Sequence, residues 1–331
     1  MIAQLDKDYI KIKPAKAIER LLSYSLFEGR PVTTSGRWIN PLVFSLISME
    51  KKLPRLQKVE KPIFILGTGR SGTTLLGILL SIHKELAYLN EPKAIWHSIF
   101  PFEDLVGNYS DNGAKYRLDK SDATEQMIVE FEKIYGFYLW FTNRHRVVDK
   151  YPELIFRTEF VKAIFPDAKF IILARNGYNT ASSIQTWSKT KSKNNGTEKE
   201  DWWGKNNKKW DILLDEVLKA DDELGQYHQY FAGITSQRDK GMVEWYLSMK
   251  EGLKISKSDH NAMLIKYEDL LLEPELTLNK IFDHTEIAKD NKVLKYAKTI
   301  IRPNATVREF EVDPKLKKPF LHLMAELGYC T

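Results

Sequence analysis

The sequence predicts an α/β fold with a central parallel β-sheet flanked by helices, a helical N-terminal layer before it and a helical insertion within it. Three observations carry this. Short, β-rich apolar runs recur at Ile63-Phe64-Ile65-Leu66, Val147-Val148, Phe170-Ile171-Ile172-Leu173 and Met263-Leu264-Ile265, the form taken by buried strands. Helical patterns lie between them, notably Leu154, Ile155, Phe156, Phe160, Val161 and Ile164, and such alternation is the signature of parallel strands joined by crossover helices. The first run also passes directly into a glycine-rich turn and an amphipathic stretch, ILGTGRSGTTLLGILL, residues 65–80.

Ahead of that run, Ala15 to Leu22 and Leu42 to Leu53 show helical spacing, separated by the turn-like Thr33-Thr34-Ser35-Gly36-Arg37. The chain has 331 residues, 43% hydrophobic and 28% charged, ample for a core, and no Pro/Gly/Ser-rich linker divides it into balanced halves. One domain over 1–331 is therefore expected. Its parts are an N-terminal layer (1–60), a core (61–187), a loop and helical insertion (188–258), and a last core strand with C-terminal helices (259–331). Lys189 to Asp201 is polar, charged and centred on Asn195-Gly196, and reads as a flexible surface loop. The insertion beyond it gathers Trp202, Trp203, Trp210, Tyr227, Tyr230 and Phe231. These rings either pack as core or line a ligand pocket.

The sole cysteine, Cys330, has no partner in the chain, which favours a reducing compartment. The charged N-terminus has no unbroken apolar segment, and no stretch reaches the ~18 residues of a membrane span. A cytoplasmic protein is expected. The net charge of +6 suits nucleic acid, a membrane surface, a small polyanion, or simply a lysine-rich solvated face.

The spacing Gly67-x-x-x-x-Gly72 suits a loop that turns backbone N–H groups around a phosphate and then starts a helix whose positive end faces the same anion. A nucleoside-triphosphate loop would carry Lys after Gly72, followed by Ser or Thr for magnesium. Thr73 stands there instead, and the loop's only cation is Arg70. A second strand-to-helix junction runs from Lys169 through Arg175-Asn176-Gly177 to Ser182-Ser183. Arg175 ends the strand, where ligands of open α/β sheets bind, and arginine with a hydroxyl suits a phosphate. Alone, an arginine in that position is more often a surface ion pair.

Taken together, the chain resembles the sulfotransferases that use 3′-phosphoadenosine 5′-phosphosulfate (PAPS). Their 5′-phosphosulfate loop, [RK]-x-G-T-T, is matched by Arg70-Ser71-Gly72-Thr73-Thr74. Their 3′-phosphate motif, an arginine followed eight residues later by serine, is matched by Arg175 and Ser183. A strand leading into Tyr267-Glu268-Asp269-Leu270 is the third match.

The resemblance implies a P-loop-like sulfotransferase fold with residues 61–187 as its nucleotide-binding core, PAPS as sulfuryl donor, adenosine 3′,5′-bisphosphate (PAP) as product, and no metal. Gly69, Arg70, Ser71, Gly72, Thr73 and Thr74 would hold the 5′ side; Arg175, Ser183, Tyr267 and Arg302 would hold the rest of the nucleotide, with Arg308 as a further basic residue. Arg70 would also neutralise charge on the leaving oxygen. In the branch containing tyrosylprotein and many bacterial sulfotransferases, a glutamate at the place of Glu91 is the base and a lysine at the place of Lys150 reaches the sulfuryl group. His97 is the rival base, as in members that use histidine. Without the resemblance, Glu91 would be a helix N-terminal charge before Pro92, and Lys150 an exposed strand-end lysine. A desolvated Glu91 is expected to have a raised pKa, useful near neutrality.

The family usually has Asp-Pro or Asp-Gly after the 3′-phosphate arginine, where this chain has Asn176-Gly177. The expected acceptor is a small molecule bearing a hydroxyl or amine, with no nucleic-acid partner. A divergent P-loop kinase and a non-enzymatic polyanion-binding protein are the competing classes.

Overall fold

Five parallel strands form the main sheet of the computed structural model, which describes residues 2–31, 34, 36–110, 113–195, 198–303, 306–307 and 309–329. The strands are β1 (Ile63–Gly67), β2 (Leu86–Asn90), β3 (Arg146–Lys150) and β4 (Lys169–Ala174), with β8 (Ala262–Lys266) at one edge. Their order is β2-β3-β1-β4-β8. All four expected strand runs lie in this sheet.

Both faces of the sheet are covered, which is why its strands read as continuous apolar runs. Phe64, Leu66, Leu89, Val147, Phe170 and Ile172 enter one core. Ile63, Ile65, Tyr88, Val148, Ile171 and Leu173 enter the other, following the period of two along each strand. The helices Pro14–Leu26 and Asn40–Glu50 form the N-terminal layer. Phe27, Val43 and Ile47 of this layer join the first core, while Tyr9 and Ala17 join the second. Of the turn read between those helices, Thr33 and Ser35 lie outside the described residues, as does Cys330.

Register fixes what meets at the carboxyl edge. Lys150 is level with both Asn90 and Ile65, Gly67 with Leu173, and Ala174 with Lys266. The residues that follow each strand therefore gather there: the glycine loop, Glu91, Arg175 and Tyr267. Strand β1 lies between β3 and β4, so its loop opens at the reversal of strand order where open α/β sheets bind ligands.

One sequence reading is corrected. The segment Lys189 to Asp201 is not a loop throughout: the helix Gly177–Lys191 runs into it, and then β5 (Lys193–Asn195), β6 (Glu198–Asp201) and β7 (Gly204–Lys205) form an antiparallel ribbon. Charge pairs stabilise the ribbon, Lys205 with Glu198 at 2.9 Å and Lys199 with Asp201 at 3.0 Å. Gly196 and Thr197, at the expected tip, lie outside the described residues.

The helical pattern from Leu154 to Ile164 forms two short helices, Pro152–Phe156 (a 3-10 turn) and Thr158–Ile164. Arg157 breaks it. That fully buried guanidinium donates to the carbonyls of Tyr116 at 3.1 Å and Lys115 at 2.6 Å, so φ at Arg157 leaves the helical range. Of the six rings gathered in the insertion, Trp203, Trp210 and Phe231 are buried core, Trp202 and Tyr227 pack partly buried against it, and Tyr230 is exposed and donates to Asp313.

Candidate active site

The loop after β1 takes its shape from local backbone. Arg70 (φ +70°) and Gly72 (φ +95°) both adopt the left-handed region, costly for a non-glycine residue. A Cβ on Gly72 would sit 2.3 Å from the Tyr267 ring. The helix Thr73–Ser81 starts immediately afterwards. Tyr267 thus lies behind the loop, and its ring also carries the Arg175 guanidinium at 5.0 Å.

Arg175 Nη1 donates to the Arg70 carbonyl at 2.8 Å, and Arg70 Nε lies 3.2 Å from Ser183 Oγ. Burial first and Arg175 second lower the pKa of Arg70, as two guanidinium groups crowd one place. Asn176 caps the helix that carries Ser183, accepting from the Asn179 N–H at 3.2 Å, while its own N–H donates to Glu268 at 3.0 Å.

On the other side of the loop stand Glu91 and Lys150. Glu91 is a second strained residue (φ +50°), held by its N–H on the Lys150 carbonyl at 2.7 Å and by the Lys93 N–H on its own carbonyl at 2.7 Å. Just before it, the Asn90 N–H donates to Glu28 Oε1 at 2.7 Å. Glu28 is buried against Arg20, whose Nη2 donates to Oε2 at 2.8 Å.

Lys150, itself buried, donates to Glu91 Oε1, and Lys93 lies 3.8 Å from Glu91 Oε2. A ladder of alternating charges continues from there. Lys93 is 3.4 Å and Lys209 3.5 Å from Glu153 Oε1, Lys209 is 2.5 Å from Glu244 Oε1, and Trp202 Nε1 donates to Glu244 Oε2 at 2.7 Å. The Trp202 ring then packs on Gly69, where a Cβ would come within 2.5 Å of it.

This ladder reverses one expectation. Burial pushes the Glu91 carboxyl up, but Lys150 and Lys93 outweigh it and hold its pKa below the ordinary value. Glu153 is held down to about 2: burial raises it, and Lys93 and Lys209 overcome that. The same contacts raise Lys93 and Lys209 against the opposing effect of burial.

A cavity of about 400 Å³ opens beside the loop, and Lys150, Arg175, Ser183 and Tyr267 are not among its lining residues. It is lined by Gly69, Arg70, Thr73, Thr74, Glu91, Lys93 and Glu153, by Trp187, Trp202 and Lys209, and by Tyr24, Glu28, Arg30 and Tyr109. Ser71 and Gly72 shape the loop without lining the cavity. His97 does not line it either: its ring packs against Tyr109 at 5.3 Å and Phe44 at 6.1 Å, and burial lowers its pKa. Arg302 bonds to the carbonyls of Thr299 and Ile301 in its own segment. Arg308 lies outside the described residues.

Lys93, Glu153, Lys209, Glu244, Glu28 and Arg30 were not singled out from the sequence, whereas Trp202 was among the rings read as core or pocket, and it lines the cavity. Lys93 and Glu153 lie two and three residues from Glu91 and Lys150, so their spacing was visible; the others carry no local signal.

A glycine loop at the carboxyl edge of a parallel sheet, with a second arginine–serine cluster beside it and no lysine after its last glycine, defines a P-loop-type α/β protein outside the triphosphate-binding pattern. Residues 62–291 match the sulfotransferase family, and the chain belongs to it. It is similar to protein-tyrosine sulfotransferase A of Caenorhabditis elegans, 23% identical over 246 residues, covering 72% of this chain and 53% of that protein. Nodulation protein NoeE of Sinorhizobium fredii is 28% identical over 131 residues, 38% of this chain and 31% of that one. The chain thus spans about half the length, or less, of these curated relatives. Among solved structures, a sulfotransferase from Mycobacterium tuberculosis superposes with a TM-score of 0.48 at 16% identity, covering 96% of this chain and 93% of that one.

No helix among the described residues is long and apolar enough to cross a membrane, and no described group of His, Cys, Asp and Glu side chains is arranged to hold a metal.

Proposed function

We propose that the protein transfers the sulfuryl group of PAPS to a hydroxyl or amine of a small-molecule acceptor, leaving PAP. The observation that carries this reading is the convergence of Arg70, Lys150 and Glu91 around the loop after β1. The chain's unspent polar atoms fit the donor: among the described residues Thr68 Oγ1, Ser71 Oγ and Arg175 Nε are buried without a hydrogen-bond partner, and buried polar groups ordinarily have one. Loop amides from Gly69 to Thr73 would hold the 5′-phosphate, and Arg175 with Ser183 the 3′-phosphate. PAPS supplies the activated sulfuryl group and its phosphate leaving group.

The chain's residues divide the remaining work. Arg70 opposes charge on the departing phosphate, and such preorganised donors are the main source of rate in related transfers. Lys150 orients Glu91 and offers a point charge for a sulfonate oxygen. Glu91 takes the acceptor proton. Because Lys150 and Lys93 make this carboxylate a weak base, it takes the proton late, once bonding to sulfur has made the acceptor oxygen acidic.

The continuity of the first core from Phe27 and Val43 into the sheet supports the reading of 1–331 as one domain. A cytoplasmic setting fits the single cysteine. A thermal-shift experiment tests the donor assignment: stabilisation by PAP without magnesium is expected. Stabilisation by ATP with magnesium alone would mean a kinase, and stabilisation by neither a polyanion-binding protein.

A further inference from the structure

Each cation lining the cavity has a carboxylate or hydroxyl partner, with one exception. Lys93 and Lys209 are shared among Glu91, Glu153 and Glu244, and Arg70 faces Ser183. Arg30 has no carboxylate within the 4.0 Å of an ion pair among the described residues. Its neighbour Glu28 is already engaged by Arg20 and the Asn90 N–H. Yet Arg30 is only 5% exposed, and a buried charge without a counter-ion is costly.

Its position is built rather than incidental. The Arg30 N–H donates to Asn40 Oδ1 at 2.7 Å, and Asn40 Nδ2 returns a bond to the Arg30 carbonyl at 3.0 Å. The guanidinium carbon lies 3.5 Å from the centre of the Tyr24 ring, and Nη1 donates to the Gly29 carbonyl at 2.9 Å. Stacking occupies the guanidinium's flat face, which leaves hydrogen bonding to its edge, the part that recognises oxyanions.

We propose that Arg30 is an anion subsite of the acceptor pocket, so that the acceptor is bifunctional: a hydroxyl or amine at Glu91 and a carboxylate or phosphonate-type oxyanion at Arg30. This rests on the sulfotransferase reading above, because it assigns another lining residue of the same cavity. A volume of about 400 Å³ is within the range of small-molecule pockets. The acid supplies the counter-charge that Arg30 lacks, and its neutral analogue does not.

Matched probes test this on the full chain, with and without saturating PAP: hydroxyphenylpropionate, hydroxyhexanoate and hydroxybenzylphosphonate, each against its alkyl ester. At least one acid should bind about tenfold or more tightly than its ester, the scale of a charged hydrogen bond, and which acid does so distinguishes carboxylate from phosphonate. Arg30→Met should close the gap between acid and ester, and Arg30→Lys should restore part of it. Equal weakening of both members of a pair would mean a structural role, and no acid preference in the wild type would likewise overturn the subsite. Failure of PAP itself to bind overturns the sulfotransferase reading instead, and the acid–ester contrast is still read without it.

Discussion

Lys150 Nζ donates to Glu91 Oε1, linking the end of β3 to the strained turn that follows β2. The register that sets Asn90 level with Lys150 brings this pair together, so its geometry is a property of the sheet. A carboxylate held by two ammonium groups stays ionised well into acid. Glu91→Gln is therefore expected to cut turnover by ~10²–10⁴, the range for loss of a general base, while PAP affinity is kept. The sign of the pH dependence follows from the lowered pKa: the active, ionised form is full near neutrality and is lost only below the ordinary carboxylate value. The wild-type rate should stay level from neutral pH down to that range and then fall, and the variant should lack the fall. A limb near neutrality that survives in Glu91→Gln would move the base elsewhere.

Arg70→Ala is expected to cost ~10²–10³ in turnover and far less in PAP binding, because its main partner is charge that develops during transfer. Steady-state kinetics beside PAP titration measures the split. An unchanged turnover number would remove Arg70 from the chemistry.

Arg175→Ala and Ser183→Ala should each weaken PAP by about tenfold or more and leave adenosine 5′-phosphate, which lacks the 3′ group, little changed. Calorimetric titration of both ligands gives the comparison. Equal losses would place these side chains on the 5′ side or in the scaffold.

Gly72→Ala combines a positive φ with a Cβ 2.3 Å from the Tyr267 ring. The expected outcome is a stability loss of ~1–3 kcal/mol with loss of PAP binding, read by thermal unfolding with and without the ligand. A variant of wild-type stability that still binds PAP would show that the ring yields.

Glu28 is buried, carries the counter-charge for Arg20 and grips the Asn90 N–H. Removing one member of a buried pair costs ~3–5 kcal/mol, so Glu28→Ala should destabilise strongly. Glu28→Gln combined with Arg20→Met removes both charges and keeps an oxygen for Asn90, and is expected to recover most of that loss together with turnover. Turnover that stays low in a stable double variant would mean that the charge on Glu28, rather than its hold on Asn90, matters to the reaction.

What was legible in the sequence has a physical pattern. Strands buried on both faces, such as Phe170 to Leu173, announce themselves as apolar runs, and Gly72 marks its turn because few other residues adopt that backbone. The charge ladder was not legible, since Lys93, Glu153, Lys209 and Glu244 come from four separate segments and their partnership exists only after folding. For the same reason the acidity of Glu91 was misjudged: burial can be guessed from position, but two approaching ammonium groups cannot. Arg157 ended a helix through carbonyls some forty positions earlier in the chain, a contact that periodicity does not encode. In the ribbon Lys193–Lys205, charges that suggested a solvated loop instead pair within and across its strands.

The cavity-lining residues from Ala3 through Tyr24 to Thr34 precede the segment 62–291 that matches the family, whereas the loop, Glu91, Tyr109, Glu153 and Trp202 lie within it. The cavity is thus built from two stretches of chain, joined where Glu28 meets Asn90. On the proposed reading, exchanging residues 1–61 for another segment that keeps an acid at the place of Glu28 would change the part of the pocket that carries Arg30 and leave the loop, Glu91 and Lys150 in place.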